Sequence, residues 1–168
     1  MPNFTQRPRA QRNTQARGIY TIRKGIGYLQ AKEFDAALGE FRKVIASTHP
    51  DTARLVKSVA SFYVYRTEVF RKEFKKVRYA NANPINLTAT PNSRSAWSDV
   101  DIAAVLVTPN TKAMNFFLAA FLGRSQEAVR FQRRYAFAKP LKSWTTESGQ
   151  HYTRFTQTRQ VAARLGLV

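Results

Sequence analysis

Ile19, Ile22, Ile26 and Leu29 recur at three- and four-residue intervals, the spacing that lines one side of an α-helix. Gly25 and Gly27 fall inside this run and each disfavours helix by up to about 1 kcal/mol against Ala. Glycine at such a place often lets a second backbone come close. Phe34, Ala37, Leu38, Phe41, Val44 and Ile45 make a stronger apolar stripe, which stops at Thr48-His49-Pro50. Asp51 or Thr52 can cap a third helix to about Tyr79, with Leu55, Val59, Phe62, Tyr63, Phe70, Phe74 and Val77 on one face. Asn81–Ser98 reads as a loop, of a length that is uncommon unless functional or disordered.

Ser98 then opens a short apolar element, Val100–Val107, with Asp99 and Asp101 in its first turn, and Thr108-Pro109-Asn110 breaks it. Thr111 caps a helix through Leu122, closed by Gly123, and Ser125 opens another that reaches Ala138 before Pro140. Ser143–Gly149 reads as a loop. Tyr152, Phe155, Ala162 and Leu165 are spaced for a last helix, while His151–Arg159 also alternates like a strand; helix is favoured.

The expected fold is all-α: a helical hairpin plus a compact helical body, with an extended basic N-terminal arm. Residues 1–17 form the arm, since their Pro, Gln, Asn, Arg and Thr bury too little apolar surface to offset the entropy of ordering. Residues 18–168 form a single helical domain: hairpin and long basic helix over 18–79, loop over 80–98, C-terminal helices over 99–168. A chain of 168 residues buries roughly 70% of its unfolded surface, so it needs neither disulfide nor metal to fold. With no cysteine, thiolate zinc sites, iron–sulfur clusters and cysteine nucleophiles are excluded.

Within this layout, Gly25, Tyr28, Phe34, Ala37, Phe41 and Val44, with Pro50 one place late, resemble one tetratricopeptide unit. That resemblance implies a tight helical hairpin with small residues where the helices cross. Thirty-four residues on stand Val59, Phe62, Glu68, Arg71 and Lys75, so the pattern does not recur. Solenoids need about three repeats to share a core, and a lone hairpin is expected.

Charge changes the picture most. Twenty-eight Lys and Arg face ten Asp and Glu, for a net charge of +18. Confining that charge in one small fold costs self-repulsion, which a polyanion removes. At two phosphates per base pair, this charge neutralises about nine base pairs of duplex per subunit. Arg7, Arg9, Arg12, Arg17, Arg23, Lys24 and Lys32 precede the first acid, Glu33. Arg71, Lys72, Lys75, Lys76 and Arg78 crowd the end of the third helix against Glu73 alone, and Arg130, Arg133 and Arg134 lie on one later helix. These fifteen are the candidate nucleic-acid-binding residues. The basic cluster of the third helix also suits the negative end of a helix dipole, which is the structural alternative.

No catalytic constellation emerges, and no enzyme, metal or cofactor is expected. His49 and His151 are distant in sequence and lack acidic neighbours at ligand spacing. Asp99 and Asp101 fit helix capping better than a carboxylate pair. Gly-rich phosphate loops, HExxH motifs and nucleophile elbows are missing. A helix-turn-helix around Leu122-Gly123-Arg124-Ser125 is an alternative way to meet DNA. Basic residues interleave with aromatics, so stacking on bases competes with core packing as the reading of those rings. The longest apolar region, Ile102–Leu122, is broken by Thr108, Pro109, Asn110 and Lys112 and is no membrane span.

Dispersed charge suits neutralising a polymer along its length more than reading one short site. The expectation is therefore a structural protein that packages nucleic acid as many copies, duplex DNA ahead of RNA, with self-association or a paralogous coat subunit and no small-molecule substrate. The layout resembles the helical nucleocapsid proteins of filamentous archaeal viruses. The resemblance lies in the arm over Pro2–Arg17, the helices around Gly25–Tyr79, the missing cysteine and the Asn, Gln and Thr-rich composition. It implies DNA wrapped by a basic N-terminal segment and helical hairpins, and a virion location. The plentiful Asn and Gln depart from what a hot environment favours. Two alternatives stand beside it: a subunit of an RNA–protein machine within a cytoplasmic nucleoprotein complex, and a matrix protein on anionic membrane. A secreted or transmembrane protein is not expected.

Overall fold

The computed structural model describes the backbone of residues 9–48, 53–80, 92, 95–147 and 150–168, with side chains except at 9–16, 53, 73–80 and 150. Among the described residues it is all-helical: α1 (Arg9–Gln30), α2 (Phe34–Ala46), α3 (Ala53–Ala80), α4 (Asp99–Val107), α5 (Lys112–Leu122), α6 (Gln126–Phe137), α7 (Lys142–Thr145) and α8 (Gln150–Arg164). His49, Pro50, Asp51, Thr52 and most of the 81–98 loop lie outside the described residues.

The hairpin follows the apolar stripes. Ile19, Ile22, Ile26 and Leu29 of α1 are buried against Ala37, Phe41 and Val44 of α2 and Leu55, Val59 and Tyr63 of α3. Gly25 stands where α1 meets α2: a Cβ there would lie 2.5 Å from Phe41 Cε1, so only glycine fits. Gly27 faces open space and has no such role. The helix also begins ten residues earlier than its apolar stripe, at Arg9. This corrects the expectation of an extended arm through residue 17. Ala10, Gln11, Arg12, Gln15 and Ala16 are good helix formers, and they continue backwards the helix that the isoleucines anchor.

In the body, α4 is the centre, packed by α1, α3, α6 and α8. Ile102 through Val107 are all buried, as an element apolar all round requires. Ser98 and Asp101 form a capping box at its start, Thr111 caps α5 and Ser125 caps α6. Phe70, Phe117 and Phe121 fill the space between α3 and α5. Where a loop was expected over 143–149, residues 142–145 form the single turn of α7, because Trp144 is buried edge-on against Tyr135 at 4.9 Å. The last segment is helical, with Thr158, Val161, Ala162 and Leu165 inward, which removes the strand alternative.

Three helix ends share one closure. Behind α5, Arg124 N donates to Ala119 O and Gly123 N to Ala120 O, with Gly123 at φ 62°. Behind α8, Leu167 and Gly166 repeat the pattern on Ala162 and Ala163, with Gly166 at φ 69°. Behind α1, Glu33 N donates to Tyr28 O and Lys32 N to Leu29 O. There the left-handed position, φ 63°, is held by Lys32 rather than glycine.

Candidate nucleic-acid interface

The structure separates the candidate cations into groups of different kind. Arg7 lies outside the described residues, and the side chains of Arg9, Arg12, Lys75, Lys76 and Arg78 lie outside the described side chains. On the hairpin, Lys24 Nζ and Lys43 Nζ meet Glu40 Oε1 at 3.1 and 2.8 Å. The lysine partners hold the Glu40 carboxyl below its ordinary value, Lys43 most of all. Arg71 donates to Asp35 at 2.8 Å and Arg42 to Glu68 at 3.3 Å. Arg17, Lys32 and Lys72 are exposed.

A second group gathers at the carboxyl end of α4. A helix leaves its last carbonyls unpaired there and carries partial negative charge. Arg23 of α1 donates from Nε to Val107 O at 2.8 Å, and Arg133 of α6 donates from Nη1 to Thr108 O at 2.8 Å. Tyr63 Oη reaches the same turn from α3. Thr108 Oγ1 spends its hydrogen on Ala104 O, so in the buried Tyr63–Thr108 bond the tyrosine donates. Burial raises the Tyr63 pKa and keeps it a donor.

Arg133 therefore corrects its reading as a nucleic-acid contact. It is buried, with Nε also donating to Asn115 Oδ1 at 3.1 Å, and it serves the fold. Burial pulls its pKa down to about 10, which leaves it charged at neutral pH. The reason is helical phase: Val129, Gln132, Arg133 and Ala136 share the inward stripe of α6, whereas Arg130, Arg134 and Phe137 point outward.

That outward stripe borders an open cleft of about 510 Å³. Asn110 and Asn115 line it from the start of α5, and Arg130, Arg133, Arg134 and Phe137 from α6. Arg130 and Arg134 are exposed and have no carboxylate partner among the described residues; Arg134 lies over Phe131 at 5.6 Å. Just beyond α6, Lys139 and Lys142 are exposed too, and Arg159 donates to Ala138 O at 2.9 Å.

Sequence reasoning missed Asn110 and Asn115, and Arg124 as a fixed point of the body. Asn115 had a signal, since it shares the 115, 118, 122 spacing with Leu118 and Leu122, both buried. Arg124 is buried, donates to Ser95 O and Ala96 O at 2.6 and 2.8 Å, and stacks over Trp97 at 4.5 Å. Arg124 thus ties the turn between α5 and α6 to residues 95–97. His151 pairs through Nδ1 with Tyr135 Oη at 2.5 Å. Among the described residues no group of His and carboxylates is placed to hold a metal ion, and no helix is long and apolar enough to cross a membrane.

Comparison with known proteins finds no matching family model, no matching curated protein and no matching solved structure.

Proposed function

We propose that the protein is a structural nucleic-acid-binding protein that coats or packages a nucleic-acid polymer as a multi-copy assembly, of the viral nucleocapsid type. The observation that carries this reading is the distribution of cations without acid partners. Arg17 on α1, Lys72 on α3, Lys112 on α5, Arg130 and Arg134 on α6 and Arg154 on α8 are exposed, and none has an ion-pair partner among the described residues. Such a surface meets phosphates along a polymer and reads no sequence.

The test is binding of nuclease-treated, purified protein to generic duplex DNA across a salt series, with sedimentation of the product. Eight phosphate contacts per subunit give a log–log slope of about −7. Large particles that grow with DNA length support packaging. Weak binding, or one small saturable complex, overturns it in favour of a subunit of an RNA–protein machine.

A further inference from the structure

We propose that the cleft beside α6 receives an unpaired nucleotide of a single strand, its base against Phe137 and its phosphate at Arg130 and Arg134. The inference rests on the nucleic-acid reading above and narrows it, because duplex and single strand differ in what they offer such a cleft.

Arg130, Arg134 and Phe137 are spaced by four and three residues, so they stand in one row on the outer face of α6. Phe137 is 52% exposed. An exposed ring is ordinary by itself; this one lines a cleft together with two cations that have no acid partner among the described residues.

The hydrogen-bond polarity of the cleft is fixed from inside. Arg133 Nε can only donate, so the Asn115 atom it meets is the acceptor Oδ1. Asn115 Nδ2 must then donate, and it does so to Asn110 Oδ1 at 3.0 Å. Asn110 is exposed and is left with its Nδ2 hydrogens, which have no partner among the described residues. Asn110, Arg130 and Arg134 together present donors. The matching ligand is rich in acceptors: phosphate oxygens, base carbonyls and ring nitrogens.

The ring chooses among such ligands: a phosphate alone would leave Phe137, which lines the same open cleft, uncovered. A duplex presents a ridge of phosphates and keeps its base faces stacked inside. A single strand offers a free face to Phe137, and stacking of this kind tolerates any sequence because every base has a π-face.

The experiment measures binding of full-length protein to a mixed-sequence single-stranded DNA oligonucleotide and to the duplex of the same length, by fluorescence anisotropy at one salt concentration. Wild type, Phe137→Ala and Phe137→Tyr are compared, with thermal melting of each. The expected result is a loss of about tenfold on the single strand for Phe137→Ala, little change on the duplex, and near-wild-type binding for Phe137→Tyr. Unchanged single-strand affinity in Phe137→Ala overturns the inference and leaves the packaging reading standing. An equal loss on both forms, or no rescue by Phe137→Tyr, also overturns it. Wild-type protein that binds neither form removes the nucleic-acid reading itself.

Discussion

The hairpin side of the molecule, α1 to α3, and the body, α4 to α8, are both rich in arginine and lysine but settle their charge differently. On the hairpin four cations meet carboxylates, Lys24 and Lys43 on Glu40, Arg42 on Glu68 and Arg71 on Asp35, while Arg23 reaches across to a main-chain carbonyl, that of Val107 in the body. In the body Arg124, Arg133 and Arg159 turn to main-chain carbonyls, Arg164 meets Asp99 at 2.5 Å, and Arg130 and Arg134 have no acid partner among the described residues. Exposed ion pairs contribute little to stability, typically under about 1 kcal/mol. A buried guanidinium on several carbonyls ties segments together. A count of cations therefore measures neither stability nor binding surface; the partner of each one does.

The largest effect that sharpens this contrast is expected at Arg133. Arg133→Met removes the donor to Asn115 Oδ1 and Thr108 O, and should destabilise the protein by about 3 kcal/mol in urea unfolding. Arg130→Gln, three residues away on the outer face, should stay within about 0.5 kcal/mol of wild type. Equal losses from the two would break the distinction between inward and outward arginines.

Next comes the hairpin crossing. Gly25→Ala drives a methyl into the Phe41 ring and should cost about 2 kcal/mol in the same assay. Wild-type stability would mean the hairpin tolerates a wider crossing than the body does. Lys32→Gly should act the other way. It relieves a left-handed lysine where both body helices of this closure use glycine, and should stabilise by about 1 kcal/mol, read as a raised urea midpoint.

The smallest expected effect is a pH dependence. Glu40 is held below its ordinary 4.5 by Lys43 and Lys24. A carboxylate depressed in the folded state contributes stability that is present above its unfolded pKa and is lost as pH falls through the folded one. Glu40→Gln should therefore be less stable than wild type at pH 7, and the gap should shrink as acid protonates the Glu40 carboxyl, at a pH below its ordinary range. A gap independent of pH would show that Glu40 acts through packing instead.

Much of this frame is legible from periodicity and caps. The Ile19–Leu29 stripe, the caps Ser98, Thr111 and Ser125, and the Gly123 closure all follow from local rules, and each stands where those rules put it. Local rules fail where a distant partner decides. Trp144 makes a turn of α7 only because Tyr135 is there to receive it. The 9–17 stretch has no apolar stripe, so its helical propensity was the only signal and composition hid it. Arg130, Arg133 and Arg134 look alike as a basic cluster, although the 129, 132, 133, 136 spacing already marks Arg133 as inward. The cleft itself depends on Asn110 and Asn115 meeting α6, a juxtaposition that sequence spacing does not reveal.

The bond from Arg164 at the end of α8 to Asp99 at the start of α4 spans 65 positions, while the hairpin helices meet their chain neighbours. Closing a short connection costs less entropy than closing a long one, and local contacts form sooner. The two regions thus have different places in time: α1 to α3 can assemble while the rest of the chain is still emerging during synthesis, and the body waits for its last helix. Pulse-labelled hydrogen exchange during refolding should show amides of α2 protected before those of α4, whose partner α8 arrives last.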